Sequence, residues 1–106
     1  MMTKRGKLAV MLLSLLVNGC TWVPLTEEGT QVQVRTADQV RGCEPMGQVT
    51  AVVKHKIGAI MRSEQKVREE LRTMARNEAA RMGSNALTAE TEPTDGRQVF
   101  LIYRCP

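Results

Sequence analysis

The sequence predicts an α+β fold: a two-layer sandwich with one long amphipathic helix packed on a small sheet of about four strands, in the order β-β-α-β-β. Three observations carry this expectation. Val67, Leu71, Met74, Ala75, Ala79 and Met82 recur at three- and four-residue spacing and form one apolar stripe. Segments of alternating or near-continuous apolar residues lie on both sides of it, at 30–36, 47–53, 85–92 and 97–105. A single helix cannot bury such a stripe alone, and a sheet offers the matching face.

The chain opens with a polar segment, 1–7, that carries Lys4, Arg5 and Lys7 and no acid. Residues 8–17 are almost wholly apolar, a block of ten residues, whereas a helix spanning a bilayer needs ~20. A basic start before a short apolar block is the layout of a secretory signal peptide. Val17-Asn18-Gly19-Cys20 follows: an aliphatic residue three places before cysteine, then a small residue, then the thiol. These residues resemble a bacterial lipobox. The resemblance implies a signal peptide over 1–19, cleavage before Cys20, and diacylglycerol and fatty acid (palmitate) on Cys20 itself. The competing reading is a buried N-terminal helix with an incidental cysteine. One acyl chain gives only marginal membrane binding and stable anchoring takes two signals, so a triacylated Cys20 is a sufficient anchor. Thr21 stands where Asp is the usual inner-membrane retention signal of Gram-negative lipoproteins. The resemblance therefore implies the outer membrane, with the domain facing the periplasm.

With that segment removed, the charge balance changes. Three of the fifteen Lys and Arg residues lie in 1–19, which leaves twelve against eleven acids. The basic character belongs to export and gives no argument for nucleic acid. Base-stacking aromatics are scarce as well, with only Trp22, Phe100 and Tyr103.

The stretch 20–29, with Pro24 and Gly29 and no apolar period, reads as the lipidated N-terminus and a short tether. The folded domain is expected over 30–106. Thr30 to Thr36 alternates strictly, with Val32 and Val34 on one face, as in a half-buried strand. The stretch 37–45 breaks the pattern. Gly47 to Val53 is a second strand whose apolar residues reach both faces toward its end, which suggests a central position. Residues 54–62 read either as a loop around Gly58 or as the start of a helix at Ile57, Ile60 and Met61.

Ser63 is a suitable N-cap with Glu64 in the first turn, and Gly83 follows the last stripe residue where a left-handed C-terminal cap is expected. Asn85 to Glu92 forms a third strand, with Leu87, Ala89 and Thr91 on one side. Pro93-Thr94-Asp95-Gly96 is a turn signal. The fourth strand, 97–105, alternates Val99, Leu101, Tyr103 and Cys105 with Phe100 and Ile102, so the last two strands make a hairpin.

A domain this small has a marginal core and gains from a covalent staple. With Cys20 lipidated, Cys43 and Cys105 remain, an even pair in an oxidising compartment. A disulfide between them closes most of the domain and contributes about 4 kcal/mol in chain-entropy terms. Zinc would need four ligands at close spacing, and a redox site would want Cys-x-x-Cys; the chain supplies neither pattern.

The lipobox, Gly42-Cys43 ahead of Gly47-Gln48-Val49, the run from Ala79 to Ala86 that closes the helix, and a last strand ending in cysteine together resemble small bacterial outer-membrane lipoproteins of a domain-of-unknown-function family. More distantly they resemble the sensor lipoprotein of the Rcs envelope-stress phosphorelay. That sensor has four domain cysteines and a long proline-rich tether; this chain has two domain cysteines and a short one.

Sites for chemistry are few. His55 lies between Lys54 and Lys56 and reads as a solvated side chain. Glu69 and Glu70 are adjacent and so diverge around the helix instead of converging as an acid–base pair. Arg68, Arg72 and Arg76 repeat every four residues and are a candidate interaction ridge for acidic headgroups or an acidic partner; the competing reading is a solvated helix face with Glu neighbours. No catalytic, cofactor or metal motif is present. The expected function is a non-enzymatic interaction or envelope-sensing module at the outer membrane, with the membrane and an envelope protein as partners. The alternatives are a small ligand-binding or enzymatic envelope protein, or a structural accessory subunit of an envelope complex.

Overall fold

The turn over 93–96 folds two strands against each other, and these become the middle of the sheet. Asp95 and Gly96 both take positive φ, 50° and 73°, and Thr94 and Arg97 exchange backbone hydrogen bonds of 2.9 Å across them. This is the primed two-residue turn whose twist suits antiparallel strands. A computed structural model describes residues 23–58 and 60–106. The expected signal peptide, 1–19, and the expected lipidation site Cys20 lie outside the described residues.

The strands are β1 (Gln33–Val34), β2 (Glu44–Val52), β3 (Lys56–Ile57), β4 (Ile60–Met61), β5 (Ala86–Ala89) and β6 (Arg97–Arg104), and the helix is α1 (Glu64–Arg81). The main sheet has the order β1-β5-β6-β2. β1 runs parallel to β5, and the other pairs are antiparallel. One helix on a four-stranded mixed sheet is the α+β sandwich the sequence predicts.

The helix ends where its residues require. The Ser63 side chain accepts from Lys66 N at its start. At its end Gly83 has φ 80°, Ser84 N donates to Ala79 O at 2.9 Å and Gly83 N to Ala80 O at 3.0 Å. That pair of bonds is a Schellman motif, which needs a left-handed residue after the cap. Val67, Leu71, Ala75 and Ala79 face the sheet and are buried with Val32, Ala51, Leu87, Phe100 and Ile102. Ala75 and Ala79 bring the helix backbone close to the strands. On the opposite sheet face Val40, Ala86 and Cys105 form a second cluster with Cys43 and Tyr103. Cys43 and Cys105 are joined by a disulfide with Cα atoms 4.4 Å apart.

The strand boundaries and positions differ from expectation in four places, the simplest being the third expected strand, 85–92, which is confined to Ala86–Ala89. β2 is an edge strand, not a central one, and it starts at Glu44, directly after the disulfide. An edge accommodates Pro45 and the register shift between Pro45 and Gly47. The first strand shrinks to Gln33–Val34 because Gly29–Gln31 is a 3-10 turn; Val32 is consequently core while Val34 is exposed. Residues 54–62, read as a loop or helix start, form the β3–β4 hairpin, with Gly58 at φ 60°.

The stretch expected as a tether is fixed from Pro24 onward. Asn77 lies about 200° around the helix from Ala75, on the side away from the sheet, yet it is buried. Its Nδ2 donates to Pro24 O at 2.9 Å, and its Oδ1 accepts from Thr26 N at 2.8 Å. Residues 24–31 therefore form a strap laid over the back of α1. Thr21, Trp22 and Val23 separate the strap from Cys20.

Candidate functional site

The strap and the hairpin meet at one end of the molecule. At the end of β2, Val53 N donates to Gly96 O at 2.8 Å and the chain leaves the sheet. It returns when Arg62 N donates to His55 O at 2.9 Å, which closes the base of the β3–β4 hairpin. The Arg62 side chain fastens that base: Nη1 donates to Lys54 O at 2.7 Å and also lies 2.7 Å from Glu70 Oε2.

Glu70, like Asn77, lies on the flank of the helix beside Met74 and is buried. Its contact with Arg62 is an ion pair lacking the alignment of a hydrogen bond, and Oε2 receives no aligned donor among the described residues. The guanidinium thus carries both a structural bond to Lys54 O and the neutralisation of a buried carboxylate.

A groove beside this ion pair is lined by Val23 and, in the strap, Pro24, by Val52 to Lys54 where the chain leaves β2, and by Arg62, Glu70 and Met74. The incoming chain therefore borders the same groove as the hairpin base. Beyond that base the hairpin presents Ile60 and Met61, which are 74% and 65% exposed, and Val52 beside it is 51% exposed. No other large apolar side chains are as exposed among the described residues. Lys54 and Lys56 flank the hairpin and are exposed.

On the other side of the hairpin a cleft of about 210 Å³ is bounded by His55, Arg62 and Arg68 and by Glu64 and Asp95. Its charges are mixed. It is smaller than the ~300–1,000 Å³ usual for small-molecule sites. No group of three or more His, Cys, Asp or Glu side chains able to hold a metal occurs among the described residues. No helix among them is long and apolar enough to cross a membrane.

The expected arginine ridge divides into three different roles. Arg76 is drawn off it: Nε donates to Val32 O at 2.8 Å and Nη2 to Thr30 O at 3.3 Å, which pins the end of the strap. Arg68 Nη1 pairs with Glu92 at 3.3 Å. Arg72 is exposed. Sequence reasoning missed the Arg62–Glu70 pairing, the burial of Asn77 and the exposure of the Ile60–Met61 tip. The signal for Glu70 and Asn77 was faint: both flank the apolar stripe beside Met74, where burial depends on a second layer. Ile60 and Met61 carry no sequence signal of exposure, because apolar residues default to burial.

The model of the family described as a domain of unknown function, DUF4156, matches residues 23–105. The chain belongs to this family. No curated protein matches the chain, and no solved structure does.

Proposed function

We propose that this DUF4156 chain is a bacterial lipoprotein, held at the periplasmic side of the outer membrane by lipid on Cys20. There it works as a non-enzymatic interaction or envelope-sensing module. The observation that carries the reading is Val17-Asn18-Gly19-Cys20 at the end of a basic and then apolar segment. Thr21 in place of Asp supports the outer membrane. The strap adds a physical argument: with the chain fixed from Pro24, the domain sits close to its anchor and does not reach across the periplasm. An envelope protein meeting it does so at the membrane.

The test is the mass of the N-terminal peptide from protein expressed in a Gram-negative host, with membrane fractionation. The expected peptide begins at Cys20 and carries a diacylglycerol and an amide-linked acyl chain, and the protein sediments with outer membranes. Cys20→Ser abolishes both lipid and processing. A mature chain without lipid on Cys20 would refute the anchor.

A further inference from the structure

We propose that the β3–β4 hairpin rests on the same bilayer that holds the anchor. Ile60 and Met61 lie in the interfacial layer, and Lys54 and Lys56 lie among anionic phospholipid headgroups. This inference rests on the lipidation of Cys20 proposed above, and three observations lead to it.

The first is position. Val23 lines one groove with Pro24, Val52, Lys54 and Arg62 and a second with Val49, Thr50 and Ala51, so the incoming chain borders the half of β2 that leads into the hairpin. Three residue steps separate Cys20 from Val23, which allows at most about 11 Å even fully extended. A lipid on Cys20 therefore holds this end of the domain against the bilayer. The disulfide end of β2 lies eight residue steps away along the strand, about 27 Å.

The second is the chemistry of the tip. Ile60 and Met61 are the most exposed large apolar side chains among the described residues. Side chains of this kind enter the headgroup boundary, where burial of apolar area and attraction to anionic lipid act together.

The third is charge. From Gly47 to Ser63 the chain has no acid and carries Lys54, Lys56 and Arg62. Arg62 is occupied by Glu70 and Lys54 O, which leaves the two lysines as exposed cations of the hairpin. The neighbouring charged groups are those of the adjoining cleft, Glu64 and Asp95 with Arg68. The short anchor favours lipid over a protein as the occupant, because the bilayer is already within reach.

The experiment uses the full acylated chain in vesicles containing phosphatidylglycerol, with Trp22→Phe to remove the native indole. Ile60→Trp, and independently Met61→Trp, report depth through blue-shifted emission and quenching by brominated lipid. Glu44→Trp, at the far end of β2, is the control. An intact Cys43–Cys105 link and unchanged circular dichroism verify the fold of each variant. Quenching at 60 and 61 is expected to exceed that at 44 severalfold. Lys54→Glu with Lys56→Glu, or pure phosphatidylcholine vesicles, should cut it at least threefold. Equal quenching at 60 and 44 in protein whose mass proves acylation overturns this inference alone. Quenching unaffected by charge reversal overturns the role of the lysines. A photo-crosslinker at position 60 that captures a protein in cells, and no phospholipid, overturns the lipid surface. Absence of lipid on Cys20 overturns the anchoring reading, and this inference falls with it.

Discussion

Asn77 Oδ1 fills the space that a side chain at position 29 would need. A Cβ built on Gly29 would come within 2.5 Å of that oxygen and lie 3.0 Å from both Leu25 Cδ1 and Thr26 Oγ1. Thr26 Oγ1 joins the two residues, since it donates to Asn77 Oδ1 at 3.1 Å and accepts from Gly29 N at 2.9 Å. One buried amide thus replaces the backbone partners that the strap would otherwise find in water. The strap can close over the helix only because position 29 has no side chain.

Asn77→Ala should therefore loosen the strap and lower the free energy of unfolding by about 3 kcal/mol, the sum of three hydrogen bonds worth about 1 kcal/mol each. Urea unfolding measures it. Gly29→Ala should cost a similar amount through crowding, but markedly less in the Asn77→Ala background, because residues in contact are not additive. Additive losses would mean that the strap is held elsewhere.

Glu70→Gln or Arg62→Met should each destabilise by about 3 kcal/mol, because removing one partner strands the other in a site nearly closed to water. The side chains of Arg62 and Glu70 are 18% and 8% exposed, so salt should screen the pair weakly. The double variant Arg62→Met with Glu70→Leu should recover much of the loss. Chemical denaturation of the three variants at low and high salt checks both expectations. A loss that disappears in salt would place the pair at the surface.

The sheet and helix were legible because their signals are local. Stripe spacing, the Ser63 cap, Gly83 and the Asp95-Gly96 turn each fix backbone geometry within a few residues. The flank of the helix beside Met74 was not legible. Glu70 and Asn77 follow the ordinary pattern of a solvated face, and their burial depends on Pro24–Gln31 and Arg62, which approach from 53 to 8 residues away. The same reason explains the arginine spacing: periodicity places Arg68, Arg72 and Arg76 on one side of the helix, but the end of the strap takes Arg76. The hairpin was illegible for a different reason, since strands of two residues carry no measurable alternation.

Reducing the Cys43–Cys105 bridge should lower stability by about 4 kcal/mol, as its sequence separation of 62 residues closes a long loop in the unfolded chain. The loss should appear as a lower urea midpoint with dithiothreitol and as a steeper denaturant dependence, because the reduced unfolded chain exposes more surface. Beside the bridge, Asn85 exchanges two 2.8 Å hydrogen bonds with the Cys105 backbone. The end of β6 should therefore keep its place after reduction, and amide exchange at Cys105 should stay as protected as the reduced protein's global stability allows. Rapid exchange there would show that the disulfide alone secures the strand.

Arg76→Ala and Arg72→Ala should separate a structural arginine from a surface one. The Arg76 guanidinium spans Val32 O and Thr30 O, two carbonyls at the junction between strap and β1. A charged donor on partly buried carbonyls is worth about 1.5–3 kcal/mol, so Arg76→Ala should destabilise by about 2 kcal/mol. Arg76→Lys should rescue it only in part, because one ammonium cannot reproduce the planar fork. Arg72→Ala and Arg68→Ala, the latter losing only an exposed pair with Glu92, should each stay within about 0.5 kcal/mol of the parent. Thermal unfolding of the four variants decides between these roles. Equal losses at 68, 72 and 76 would restore a continuous ridge; a loss confined to 76 leaves Arg68 and Arg72 as the helix cations available to a partner.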